Sequence, residues 1–232
     1  MRKYAVDIKE ATARIGDVLR TKGLLLLADK ALPSVAGLVA RKPINGSWWA
    51  HPLCHEIYAV SQALQDDPNT AMLKLVNAKT TFVHRGLWQD LYTIAAAREA
   101  WQTNGLSPSA KKLLAKIGER GSARADEVGG KKPLKEVRSD LALLEARLLV
   151  FTGEEHTETG AHMKRYGTWE NWSKNVGFRP RKGTGAEAAR ARLDEVGAAF
   201  AKDSGVPVAF PWSKPGAKVP RGLALTARSR RL

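Results

Sequence analysis

The sequence predicts a mainly α-helical protein with small β-hairpins, and three observations carry that prediction. Apolar residues recur at three- and four-residue steps over long stretches, the mark of helices with one buried face. That period breaks near residues 72–85 and 149–168, where strand-forming runs flank turn residues and read as hairpins. Composition is globular, with 44% hydrophobic and 26% charged residues in 232, so most of the chain has a core to fold around. Three regions follow: a helical domain with one hairpin at 1–105, a second module at 106–172, and a basic extension at 173–232.

Residues 7–41 read as helix, with Ile8, Ala11, Ile15, Val18 and Leu19 in register. Leu24 to Leu27 open a second apolar stretch, broken or restarted at Pro33. Residues 42–50 carry Pro43 and Asn45-Gly46 and form a loop. Pro52 suits a first helical turn and starts a helix that runs to about Leu64. Residues 73–76 and 80–83 flank Asn77-Ala78-Lys79 as the first hairpin, and helix returns over 87–101. No internal repeat is visible in the residues themselves.

The second module opens at Ser107-Pro108, a serine cap before a proline at the first helical position. Leu113, Leu114 and Ile117 give this helix its apolar side, and Gly121 ends it. A short helix over 123–128 stops at Gly129-Gly130. A third, over 133–149, places Leu134, Val137, Leu141, Leu144 and Leu148 on one stripe. Lys131, Lys132, Lys135 and Arg138 gather at the N-terminal end of its other face. Residues 149–151 and 161–168 then pair as strands around Thr157-Glu158-Thr159-Gly160.

Three helices followed by a hairpin resemble the winged helix-turn-helix DNA-binding family over residues 106–172. The resemblance implies a double-stranded DNA partner, with the N-terminal end of the third helix in the major groove. Lys132, Lys135 and Arg138, with Ser139, would then face the duplex. Glu154, Glu155 and Glu158 would repel phosphates from the hairpin, which leaves Lys164 and Arg165 on its return strand to approach the backbone. Tandem winged helices occur in bacterial crosslink-repair DNA glycosylases, which the chain resembles loosely. Their Gln-x-Gln or Gln-x-Asp motif, with an apolar middle residue, is met only formally by Gln65-Asp66-Asp67.

Charge points to the same class of partner. Thirty-eight Lys and Arg against 23 Asp and Glu give a net +15, and the pI is near 10.1, the footprint of a polyanion binder. Residues 173–232 alone carry +9, so Arg179, Arg181 and Lys182, and a flexible tail ending in Arg228, Arg230 and Arg231, are expected to follow phosphates. Such a tail serves RNA as well as DNA, which keeps an RNA- or ribosome-binding protein in view. One helix is expected within this extension, over 186–202. A single cysteine and no long apolar run fit a cytoplasmic protein without a membrane partner.

The densest chemical cluster is Trp48-Trp49-Ala50-His51-Pro52-Leu53-Cys54-His55-Glu56. One reading makes it a pocket for an unstacked base, with Trp48 and Trp49 stacking and Glu56, His55 or His51 moving a proton. That is the chemistry of a repair glycosylase or lyase acting on a flipped base. The other reading packs the tryptophans between two helices and uses His51 as a cap. Zinc is disfavoured by the spacing of His51, Cys54 and His55, and no metal or cofactor is predicted. His84 could meet this cluster in space, and His156 and His162 could touch phosphate. Signatures of P-loop ATPases, serine hydrolases and zincins are missing.

Overall fold

A computed structural model describes residues 6–156 and 162–213. Helix α1 (Ile8–Lys22) starts at Asp7, whose carboxylate accepts from the Glu10 N–H at 3.0 Å. Gly23 ends it with φ near 75°, a conformation glycine adopts without strain, and turns the chain directly into strand β1 (Leu24–Leu26). The helix expected over 7–41 is therefore interrupted by a strand. All three leucines are buried, and a short run buried on both faces has no period to separate strand from helix.

Ser34 caps α2 (Val35–Ala40), and a 3-10 turn at Trp48–Ala50 leads to α3 (Cys54–Gln65). The hairpin appears where expected, as β2 (Thr70–Lys74) and β3 (Thr80–His84). However, β1 joins it to make an antiparallel sheet in the order β1-β3-β2, with Leu25 opposite Phe82 and Leu73 opposite Thr81. The helix expected over 87–101 is two, α4 (Trp88–Ala97) and α5 (Ala100–Thr103), parted where Arg98 turns left-handed.

The second unit holds α6 (Pro108–Arg120), β4 (Ser122–Arg124), α7 (Ala125–Val128), α8 (Leu134–Ala146), β5 (Phe151–His156) and β6 (His162–Gly167). Ser107 caps α6 as expected, while the start of the short helix over 123–128 is given up to β4. Its sheet order is β4-β6-β5, again antiparallel. Both units thus run helix, strand, helix, helix, strand, strand, with the third strand in the centre of the sheet. This structural repeat was not visible in the residues. Each expected hairpin gains a third strand, so the chain is mixed α/β with more than half its residues helical. Among the described residues no helix is long and apolar enough to cross a membrane.

Two further helices follow, α9 (Trp169–Asn175), which was not anticipated, and α10 (Ala186–Ala201), which was. Residues 176–213 do not trail away as an extension; they return to the first unit. There α4 and α10 cover the sheet face made by Leu24, Leu26 and Val83, while α1, α2 and α3 cover the face made by Leu25 and Phe82. The backbone N–H of Asn77 donates to the Ala209 carbonyl, and the Ala209 N–H to Asn77 Oδ1, both at 2.8 Å. Phe210 lies so close over Gly197 that a Cβ there would meet its ring at 2.6 Å.

An aromatic cluster joins the two units. Trp172 stands 5.1 Å from Trp88 and 5.2 Å from Phe151, ring centre to ring centre, and Phe178 packs on Trp88 at 5.8 Å. Gln102, fully buried beside this junction, donates to the carbonyls of Ala95 and Arg147 and accepts from the Glu99 N–H.

Candidate nucleic-acid interface

The approach to α8 is set by two glycines. At Gly129 an added Cβ would fall 2.8 Å from Val137 and 3.1 Å from the Ala125 carbonyl, so only glycine lets α7 and α8 close together. Gly130 takes a positive φ of 61° and carries the chain into Lys131 and Lys132. Pro133 precedes the first helical residue, and no side chain caps the helix. The Glu136 and Val137 N–H groups donate to the Pro133 carbonyl, which leaves those of Leu134 and Lys135 for solvent or a ligand, where they favour an anion.

Val137, Leu141 and Leu144 face the core of the second unit; Leu134, expected on that stripe, is 39% exposed. Lys131, Lys132, Lys135, Arg138 and Ser139 are exposed. Lys132 hydrogen-bonds Ser109 on α6, and none of these four cations forms an ion pair among the described residues. Glu136 is exposed on the same helix.

The hairpin cations stand differently. Lys164 pairs at 3.1 Å with Glu145, a buried carboxylate on α8. Arg165 pairs with Glu155 at 2.6 Å and Glu127 at 3.6 Å, while Arg124 holds Asp126 at 3.2 Å. The hydrogen bond from Arg165 holds the Glu155 carboxyl below its ordinary range. These ladders satisfy the expected phosphate ligands Lys164 and Arg165 internally. Burial, with Glu145 close by, pushes the Tyr166 phenol up to about 12, so it stays a neutral core group. Glu158 lies outside the described residues.

In the first unit Trp48 and Trp49 stack with ring centres 4.0 Å apart, and Tyr58, one turn into α3, sits 5.9 Å from Trp49. Trp48 packs on the core, whereas Trp49 is 59% exposed. His51 is engaged by the turn itself, since its Nδ1 accepts from the Leu53 N–H at 3.2 Å. His55 is exposed and Glu56 half-buried, and neither hydrogen-bonds the other or His51. Among the described residues no group of three or more His, Cys, Asp or Glu could hold a metal.

His84 does not join this cluster. It pairs across the sheet with Thr70 and feels the charge of Asp67, beyond the far end of α3. Burial lowers its pKa, and its Nδ1 accepts from the Gly86 N–H. Twelve residues of α3, about 18 Å at 1.5 Å per residue, separate it from Trp49.

Arg179, Arg181 and Lys182 are exposed on a segment that is fixed in place. Gln89 on α4 clasps the Arg181 backbone from both sides, accepting its N–H at 2.8 Å and donating to its carbonyl at 2.9 Å. Arg228, Arg230 and Arg231 lie outside the described residues. Sequence reasoning missed Arg14, Lys30, Arg41 and Lys42, which line a cleft in the first unit; the dibasic Arg41-Lys42 just after a helix was the available signal. Comparison with protein-family models, with curated proteins and with solved structures finds no match to the chain.

Proposed function

We propose that the protein binds double-stranded DNA, with its second unit acting as a winged helix-turn-helix and the N-terminal end of α8 entering the major groove. The carrying observation is that Lys131, Lys135 and Arg138 stand exposed and, among the described residues, without ion pairs around a helix start that no side chain caps. The order helix, strand, helix, helix, hairpin, with the strands arranged β4-β6-β5, supports the same reading. Because Lys164 and Arg165 are held by Glu145 and Glu155, the hairpin braces α8 and adds little phosphate affinity of its own. Arg179, Arg181 and Lys182, on their fixed segment, add contacts to the duplex backbone.

Each phosphate contact contributes about −0.9 to the slope of log affinity against log salt. Fluorescence anisotropy with a random-sequence duplex at several salt concentrations measures it. Lys135→Ala with Arg138→Ala is expected to flatten the slope by about 2, with the circular dichroism spectrum unchanged. Salt-independent affinity, or a slope that this pair leaves alone, overturns the proposal. A matched A-form RNA duplex should compete poorly, since its narrow major groove does not admit a helix.

A further inference from the structure

The first unit repeats the topology of the second without its basic helix, since α3 carries no lysine or arginine between Cys54 and Gln65. Its positive charge lies elsewhere. A cleft of about 650 Å³ between α1, the β1–α2 loop and α2 is walled by Arg14, Lys22, Lys30, Arg41 and Lys42. Both carboxylates in its wall are already matched, Asp29 by Lys79 at 2.5 Å and Asp203 by Lys22 at 3.7 Å. Arg14, Lys30, Arg41 and Lys42 form no ion pair among the described residues. Arg14 is instead held by its hydrogen bond to the Leu38 carbonyl at 3.1 Å.

A smaller cavity of about 460 Å³ shares Arg14 and Arg41 with the first and reaches Leu53 at the start of α3. Asp7 and Glu10 also border it, on the first turn of α1, where Asp7 is committed to its capping bond. From Leu53 the tight turn through His51, closed by the His51 N–H to the Trp48 carbonyl at 3.1 Å, leads to the tryptophan stack. An indole stacked on its neighbour and still 59% exposed leaves apolar surface in water without a packing role.

We propose that the cleft and the Trp48–Trp49–Tyr58 stack form one site for a single-stranded nucleic-acid segment, whose phosphates follow Arg14, Lys30, Arg41 and Lys42 and whose unpaired base lies on Trp49. A cationic groove that ends on aromatic faces is the recurring construction of single-strand sites, because every base has a π-face and every linkage a charge. A paired duplex keeps its base faces stacked inside and cannot use Trp49. The cleft would also attract an acidic peptide, but carboxylate side chains have no flat ring to offer the stack.

The test uses the full chain and a labelled twelve-residue oligodeoxythymidine, read by anisotropy and by quenching of tryptophan fluorescence. Trp49→Ala should weaken oligodeoxythymidine binding roughly 5- to 150-fold, the range of one base stack, and leave duplex affinity within about twofold. Trp49→Tyr should keep most of the binding. Arg41→Ala with Lys42→Ala should flatten the single-strand salt slope by about 1.4, at about 0.7 per contact, while Lys135→Ala with Arg138→Ala leaves it alone. No binding of the oligonucleotide, equal binding of an abasic strand of the same length, or its displacement by polyglutamate at equal charge overturns the proposal. So does loss of single-strand binding through the α8 variants alone. Duplex binding is read on other residues, so either proposal can fail while the other stands.

Discussion

The two units share an order of elements and a sheet topology yet present opposite surfaces. In the first, the sheet is covered on both faces, by α1, α2 and α3 on one side and by α4 and α10 on the other. In the second, the core lies on one face, and Arg124, Arg165, Glu127 and Glu155 form an ion ladder with substantial exposure. The third helix differs as sharply: α8 starts among three lysines and an arginine, whereas α3 starts beside a tryptophan stack and has no lysine or arginine. The lesson is that topology decides which helix is displayed, while side chains decide what that helix can meet.

The two units are held as one body by the aromatic junction between them. Trp172 touches Trp88 of the first unit and Phe151 of the second. Trp172→Ala is expected to cost about 3–5 kcal/mol, the usual loss for a large buried aromatic, and to lower the whole unfolding transition. Calorimetry that shows one unit melting early while the other keeps its wild-type midpoint would instead establish two independent domains.

A smaller effect is expected at Gln102. Its amide spans the junction, and replacing it by alanine leaves the Glu99 N–H and the Arg147 carbonyl without their partner. Urea titration of Gln102→Ala should show a loss of about 1–3 kcal/mol with an unchanged m value. A midpoint indistinguishable from wild type would mean that water satisfies these groups and that the aromatic cluster alone couples the units.

Much of each unit was legible locally, and what was missed came from pairing across the chain. Ser107-Pro108 and Gly121 bracket α6 as capping chemistry predicts, and the hairpin around Asn77 stands in its expected place. Neither β1 nor β4 could be read. Leu24-Leu25-Leu26 is apolar throughout because both its faces are buried, whereas Ser122-Ala123-Arg124 buries only Ala123, so two strands in the same topological position share no pattern. That is also why the repeat is invisible in sequence. The cationic start of α8 was legible as charge at a helix end, but the capture of Lys164 by Glu145 depends on how β6 lies against α8. The cleft was hidden for the same reason, since Arg14 and Arg41 meet only when α1 packs beside α2.

The smallest expected effect concerns how the first sheet is covered. Asp90 on α4 is 2% exposed, and its Oδ2 lacks a hydrogen bond among the described residues; Arg192 on α10 reaches it only at 3.5 Å. Burial raises the Asp90 pKa, and the Arg192 charge offsets this in part. A raised folded-state pKa means that the group's contribution to stability is complete below its unfolded value and is lost as pH rises through the folded value. Asparagine fills the same space and has no proton to lose. Asp90→Asn should therefore match wild type at low pH and melt progressively higher as pH rises toward neutrality, by no more than about 2–4 °C, which corresponds to roughly 1 kcal/mol in a chain of this size. Arg192 is 63% exposed and loses little with its partner. A Tm difference that is constant across pH, or that favours wild type at neutral pH, would show that the Asp90–Arg192 pair stabilises the cover over the first sheet, and that the two units differ less in their use of charge than the part-exposed ion ladder of the second suggests.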